Sequence, residues 1–529
     1  MNAKRICALT LLILALCVGA FAQGHSAHGL GKVNFKNSCS AAVQERFQRA
    51  VAMLHSFRYL ETEKAFREVL VADPSCAIAA WGIASILMSN PLAGVGPSSE
   101  WAMRGGMAVE EGRKIGAKTQ RERDYIEAVA SYWEDWVNRP EKTRQINRAN
   151  AYEVLAKRYP DDDEAQIFYA LYLAGTQSLG DQSYSAYLTS AKLLEKQFEK
   201  YPEHPGVAHY LIHSYDAPPI ALQGLTAARR YADIAPEAPH ALHMPSHIFT
   251  RVGYWKESVA TNARAAKAAK LDKDHEEQLH AMDYMTYANL QMGRDVEAKR
   301  VVDEGPSITG FNTLKIAGPY AQAAMPARYA VERGDWKMAM TLKPHTSSYP
   351  FTIALTHFAR GLGAARSGSI TVAENEVERL GRLRDELKAE KNDYWESEVE
   401  VNRLGVAAWI ALARGQKDEA LNLMRSAADI EDKSEKHIVT PARILPAREL
   451  LGEMLLELNR PTEALAEFEA SQAREPGRFR GYYGAAVAAE KSGNMKKAKT
   501  YYLRLIGLAD RGSKRTELSR ARAFLAKVQ

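Results

Sequence analysis

The sequence predicts an all-α protein, an α-solenoid of stacked helix–turn–helix units forming a superhelix. Three observations lead there. At 529 residues the chain is too long for one compact core. Its hydrophobic (46%) and charged (25%) fractions are those of a folded chain. Its C-terminal part repeats itself: LPARELLGEMLLELNRPTEALAEFEASQAREPGRF is followed by RGYYGAAVAAEKSGNMKKAKTYYLRLIGLAD. In each stretch a helix rich in small residues reaches a turn at Asn459 or Gly493, and a second helix carries Ala464 and Phe468, or Ala498 and Tyr502. Large residues set against small ones at this spacing let two helices pack closely.

From the N-terminus, Lys4 and Arg5 precede an apolar run from Ala8 to Ala20 and the small-residue pattern Ala20-Phe21-Ala22. This predicts a secretory signal peptide over residues 1–22, an N-terminal arm over 23–42, and a protein exported to the periplasm or the extracellular space. Leu16 before Cys17 argues against a lipid anchor. Losing Lys4 and Arg5 with no acid lowers the formal charge from +6 to +4. No basic tract with interleaved aromatics points to nucleic acid, and no other segment is apolar for long enough to cross a membrane. Cys39 and Cys76 remain after the signal leaves; in an oxidising compartment they predict one disulfide stapling the first hairpin, with two buried thiols as the alternative.

Residues 43–304 read as the N-terminal half of the solenoid. Its units close at Pro74, Pro160, Pro202 and Pro236 (RYLETEKAFREVLVADP, YEVLAKRYP, LLEKQFEKYP, AARRYADIAP). Gly, Pro and Ser concentrate in NPLAGVGPSSE, SLGDQSYS and DEGPSITGFNTLKIAGPY, which read as loops. The last places a break at 305–319, and residues 320–529 form the C-terminal half. These units resemble the tetratricopeptide repeat, a helix–turn–helix of 34 residues. LHSF, DPSCAIAAWG, YLIHSYD, APHALHMPSHIFTRVGYW and PARELLGEMLLELNRPTEALAEFE together look like a family of exported bacterial tetratricopeptide proteins without firmly assigned activity. The resemblance implies a compartment and a scaffold that binds a protein or peptide partner in a concave groove, rather than a reaction.

Two histidine runs stand out, HPGVAHYLIHSYD and APHALHMPSHIFTRVGYW. His209/His213 and His243/His247 are i,i+4 pairs, each 34 residues from its counterpart and at equal offsets from Pro202 and Pro236. Equal phase in stacked repeats puts both pairs on one side of the solenoid. At the first of these offsets other units carry Trp81, Ile167 and Tyr483, so the fold does not ask for histidine. His240 shares the face of His243, and the next unit brings His280, Asp283 and Tyr287 into phase. The expected ligand groove is therefore His209, His213, Asp216, His240, His243, His247, His280, Asp283 and Tyr287.

Three readings stand open. Four imidazoles, His209, His213, His243 and His247, converging on one point would hold Zn, Cu or Ni, with Asp216 or Asp283 orienting a ring. The same side chains without metal would bind a peptide, a protein or a small ligand. Or the histidines pack structurally, with Pro245 kinking their helix. A metallopeptidase lacks support, because Tyr210 and Met244 stand where H-E-x-x-H has glutamate. No phosphate loop or nucleophile elbow points to an enzyme of another kind. His55 reads as structural, Trp81 as groove or packing, and Trp133 and Trp136 as packing. Cleavage after Ala22 would also expose Gln23-Gly24-His25, a pattern suited to Cu(II) or Ni(II), here most simply an accident of sequence.

Overall fold

The computed structural model describes residues 27–311 and 315–528. The expected signal peptide and Gln23-Gly24-His25 lie outside the described residues. Among those described, the chain forms 26 α-helices and four short 3-10 turns, with no strand. Consecutive helices pack as antiparallel hairpins and consecutive hairpins stack, which makes this an all-α solenoid, an architecture commonly used for protein interaction. No described helix is long and apolar enough to cross a membrane.

The C-terminal hairpins follow the predicted pattern closely: Ala447–Glu457 with Pro461–Arg474, then Phe479–Lys491 with Met495–Leu508. Asn459 (φ 56°) and Gly493 (φ 80°) turn the chain in the left-handed region. Phe468 is fully buried between two glycines: a Cβ on Gly452 would lie 2.8 Å, and on Gly484 2.3 Å, from its ring. The small positions in the pattern are the seats of this ring.

Cys39 and Cys76 form a disulfide with Cα atoms 4.8 Å apart. It ties the N-terminal arm to the end of the first hairpin, Gln44–His55 and Tyr59–Ala72. Phe35 on the arm completes an aromatic cluster with Phe47, Trp81 and Tyr125. Trp81 packs here and donates to the Tyr152 hydroxyl at 2.7 Å, so it belongs to the core. Within the expected break at 305–319, Gly305–Ser307 is a 3-10 turn and the Ala317–Glu332 helix begins, and one apolar cluster, including Leu279, Val302, Ile308 and Met325, joins the two sides.

After the Lys417–Glu431 helix the chain leaves regular structure, yet every residue from Glu435 to Ala447 is buried. Its backbone is satisfied by elements from distant repeats. The Glu435 N–H donates to the Leu179 carbonyl, Tyr284 donates to the carbonyls of Ile438 and Thr440, and Arg328 donates to those of Ala442 and Arg443. His437 donates to Ala93. Two loops rich in Gly, Pro and Ser, at 90–100 and 178–185, therefore reach inward to this segment. The segment Glu435–Ala447 thus lies inside the array, against Tyr284 and Arg328, on the side where an extended peptide would lie.

Candidate metal centre

The histidines sit on the first helices of three successive hairpins: Pro205–Ser214, the broken helix Pro239–His243 and Pro245–Val252, and His275–Gln291. Pro245 has no N–H for the Ala241 carbonyl, and the helix parts there. Side chains take carbonyls at the break: Ser246 donates to His243 O at 2.7 Å, and Thr261 donates to Leu242 O. The break leaves the Nε2 atoms of His243 and His247 only 3.1 Å apart.

Each ring is oriented through its other nitrogen. His243 Nδ1 lies 2.7 Å from the Asn262 side-chain oxygen, whose amide nitrogen is committed to the Ser258 carbonyl, so Nδ1 is the donor. His247 Nδ1 donates to Asp216 at 2.8 Å. Burial pushes the Asp216 carboxyl up, but Lys436, Arg251 and His247 outweigh it and hold the group well below the usual carboxylate range. With both Nδ1 atoms donating, the two Nε2 lone pairs face one another. His280 completes this set, the three ligand nitrogens lying within 4.8 Å of one another.

A second set lies alongside. His209 Nδ1 donates to the His55 carbonyl at 2.7 Å, and His240 Nδ1 donates to Glu277 at 3.2 Å. Their Nε2 atoms and both nitrogens of His213 are buried without a hydrogen-bond partner. These three ligand nitrogens also lie within 4.8 Å of one another. Burial, reinforced by neighbouring imidazoles, lowers the pKa of His209, His213 and His243 far below the ordinary value, and burial brings His280 to about 3. These four rings are held neutral, the form that binds metal.

The structure divides the four expected imidazoles, His209, His213, His243 and His247, between these two sets. Each i,i+4 pair is completed by a histidine from the following hairpin. Of the two carboxylates expected to orient a ring, Asp216 accepts from His247, whereas Asp283 is paired with Arg328 at 3.0 Å. Tyr287 lies nearly two turns beyond His280 and accepts from Arg478 in a separate polar network. Asn262 and Glu277 escaped the sequence reading, although Glu277 stands one turn before His280.

An open groove is also corrected, because His209, His213, His243 and His247 are at most 2% exposed. His213, His240, His247 and His280 instead face a cavity of about 130 Å³, walled by Phe57, Tyr59, Ile316, Ile438 and Val439. Lys315 at its rim lies over the Tyr59 ring and 3.8 Å from Glu276. Burial raises Glu276 to about 8, whereas Glu277, also pushed up by burial, is drawn down to about 2 by His240. The cavity therefore meets a protonated carboxyl beside an ionised one.

A further histidine cluster serves structure. His55 and His204 each donate to Glu164 at 3.0 Å, and His55 accepts from Tyr210. The two imidazoles hold Glu164 below the usual range against the opposing effect of burial. Trp133 is buried and Trp136 partly buried, both in packing roles.

No protein-family profile and no curated relative matches this sequence. A chain of the crystal structure of the APC/C hetero-tetramer Cut9–Hcn1 aligns over 91% of this chain and 89% of that one, at 12% identity and a TM-score of 0.33.

Proposed function

We propose that this protein binds a transition-metal ion, Zn(II), Cu(II) or Ni(II), through His243, His247 and His280 in a pocket of the solenoid. The observation that carries the reading is the pair of bare Nε2 lone pairs 3.1 Å apart, each ring held by a hydrogen bond at its other nitrogen. Two buried acceptors facing one another without a donor repel; a shared cation turns that repulsion into two bonds. A proton would also bridge them, but burial lowers the proton affinity of both rings. Three neutral nitrogens with a remaining position open to a cavity are the donor set of a site that exchanges a ligand.

A peptide along the inside of the superhelix would have to displace Glu435–Ala447, so the scaffold here supports the pocket more than a groove. Export to an oxidising compartment agrees with the Cys39–Cys76 disulfide and with the N-terminal pattern of residues 1–22.

The test is thermal unfolding of untagged protein with and without Zn(II). At about a hundred times Kd, a ligand specific to the folded state adds about 2.7 kcal/mol, so the midpoint rises measurably in the native chain and by clearly less in His243→Ala/His247→Ala. An equal rise in both would remove this site from the account.

A further inference from the structure

We infer that His209, His213 and His240 form a second metal site, so that the pocket holds two ions facing one cavity and takes a small anion between them. This rests on the first site being a metal site and adds an independent set of observations. The second set repeats the construction of the first: an i,i+4 pair from one helix and a third histidine from the next hairpin. His209 and His240 each commit Nδ1 to an oxygen and leave Nε2 buried without a partner. His213 is stranger still, since neither of its nitrogens has a partner although the residue is 2% exposed. A neutral imidazole must carry one N–H and one lone pair, and leaving such groups unmet in the interior costs about 1–3 kcal/mol each. An ion at this point would satisfy three nitrogens at once.

The two sets are joined. The rings of His213 and His247 are 5.5 Å apart, and those of His240 and His243 are 6.1 Å apart. His213 and His240 from one set face the same cavity as His247 and His280 from the other.

Charge then selects the ligand. Two divalent ions on six imidazoles bring four positive charges into a buried space. Asp216 is already matched by Arg251 at 2.7 Å and Lys436 at 3.8 Å; at the cavity Arg58 pairs with Glu61 and Asp272 and Lys315 lies beside Glu276, which leaves Asp274 and Glu277 as two carboxylates against four positive charges. An excess of buried positive charge calls for anionic ligands. A cavity of about 130 Å³ has room for an anion about the size of a single ring, since an engineered cavity of about 150 Å³ holds benzene.

The experiment loads the full chain with Zn(II), removes free metal by gel filtration and counts bound metal by mass spectrometry, with Cu(II)-loaded protein titrated with azide as the anion probe. Two equivalents are expected in the native chain, one in His209→Ala and in His240→Gln, and one in His280→Ala. Azide is expected to perturb the Cu(II) absorption of the native chain and to bind more weakly in His240→Gln. One equivalent in the native chain, unchanged by His209→Ala and lost in His280→Ala, overturns the second site and leaves the first standing. No retained metal overturns both. Two equivalents with no response to azide overturn the anion site alone. The native stoichiometry needs no variant, so a variant that fails to fold leaves the test intact.

Discussion

Two stretches of this solenoid share one plan and are filled with opposite chemistry. In residues 447–508 hairpins close on Phe468, seated between Gly452 and Gly484, with no polar group in the contact. In residues 205–291 hairpins of the same kind close on six imidazoles around a cavity. The position seven residues after the closing proline is Tyr483 in one region and His209 or His243 in the other. The difference teaches that the repeat supplies a rigid interior and leaves its content free. Apolar content gives the array stability, whereas the histidines spend stability to hold bare nitrogens in place.

The largest expected effect lies in the apolar region. Phe468→Ala, opening a cavity between two glycines that cannot close around it, is expected to lower stability by about 3–5 kcal/mol in urea unfolding, with no change in metal retention. A matching loss of metal would mean that the two regions are not separable as described.

A second test sets His437 against the cluster histidines. Its Nε2 donates to Ala93 at 2.9 Å and its Nδ1 accepts from Val439 at 3.1 Å, so both nitrogens are satisfied in the neutral ring. Burial lowers its pKa to about 4. The unfolded chain takes up this proton near the ordinary 6.5, so the contribution to stability is fully present above that pH and lost as the pH falls towards 4. The loss is about 3 kcal/mol. Urea midpoints of the metal-free chain between pH 7 and 4.5 should therefore fall more steeply in the native protein than in His437→Gln. Identical slopes would show that His437 carries no such linkage.

The orienting groups come next. Asn262→Ala and Glu277→Gln leave every ligand in place and are expected to weaken Zn(II) binding by about 10–100-fold in chelator competition. Unaltered affinity in both would mean that ring orientation does not matter here. The smallest effect is expected at His213→Leu. Replacing a buried imidazole with two unmet nitrogens by an apolar side chain should raise the stability of the metal-free chain by about 1 kcal/mol, while abolishing Zn(II) stabilisation from its set. A destabilised metal-free variant would instead make His213 a packing residue.

Much of this was legible in the sequence, for physical reasons that differ by residue. Ala464/Phe468 and Ala498/Tyr502 declare the hairpins because close helix packing leaves a periodic trace. His209/His213 and His243/His247 declare a shared face because a helix brings every fourth residue round. Their division into two sets was not legible, since it depends on how far each hairpin is displaced along the stack and on the helix break at Pro245. Tyr287 was placed with the cluster by phase alone, yet its distance along the helix carries it to Arg478. The segment Glu435–Ala447 has no periodicity at all; its burial comes from partners such as Tyr284 and Arg328, more than a hundred residues away, and so the groove looked open.

The most direct measurement is X-ray absorption on the untagged, Zn(II)-loaded chain at neutral pH. The account predicts a first shell dominated by nitrogen, with the outer-shell scattering of about three imidazoles per ion. A shell of oxygen donors without imidazole scattering would contradict it and return the histidines to a structural role.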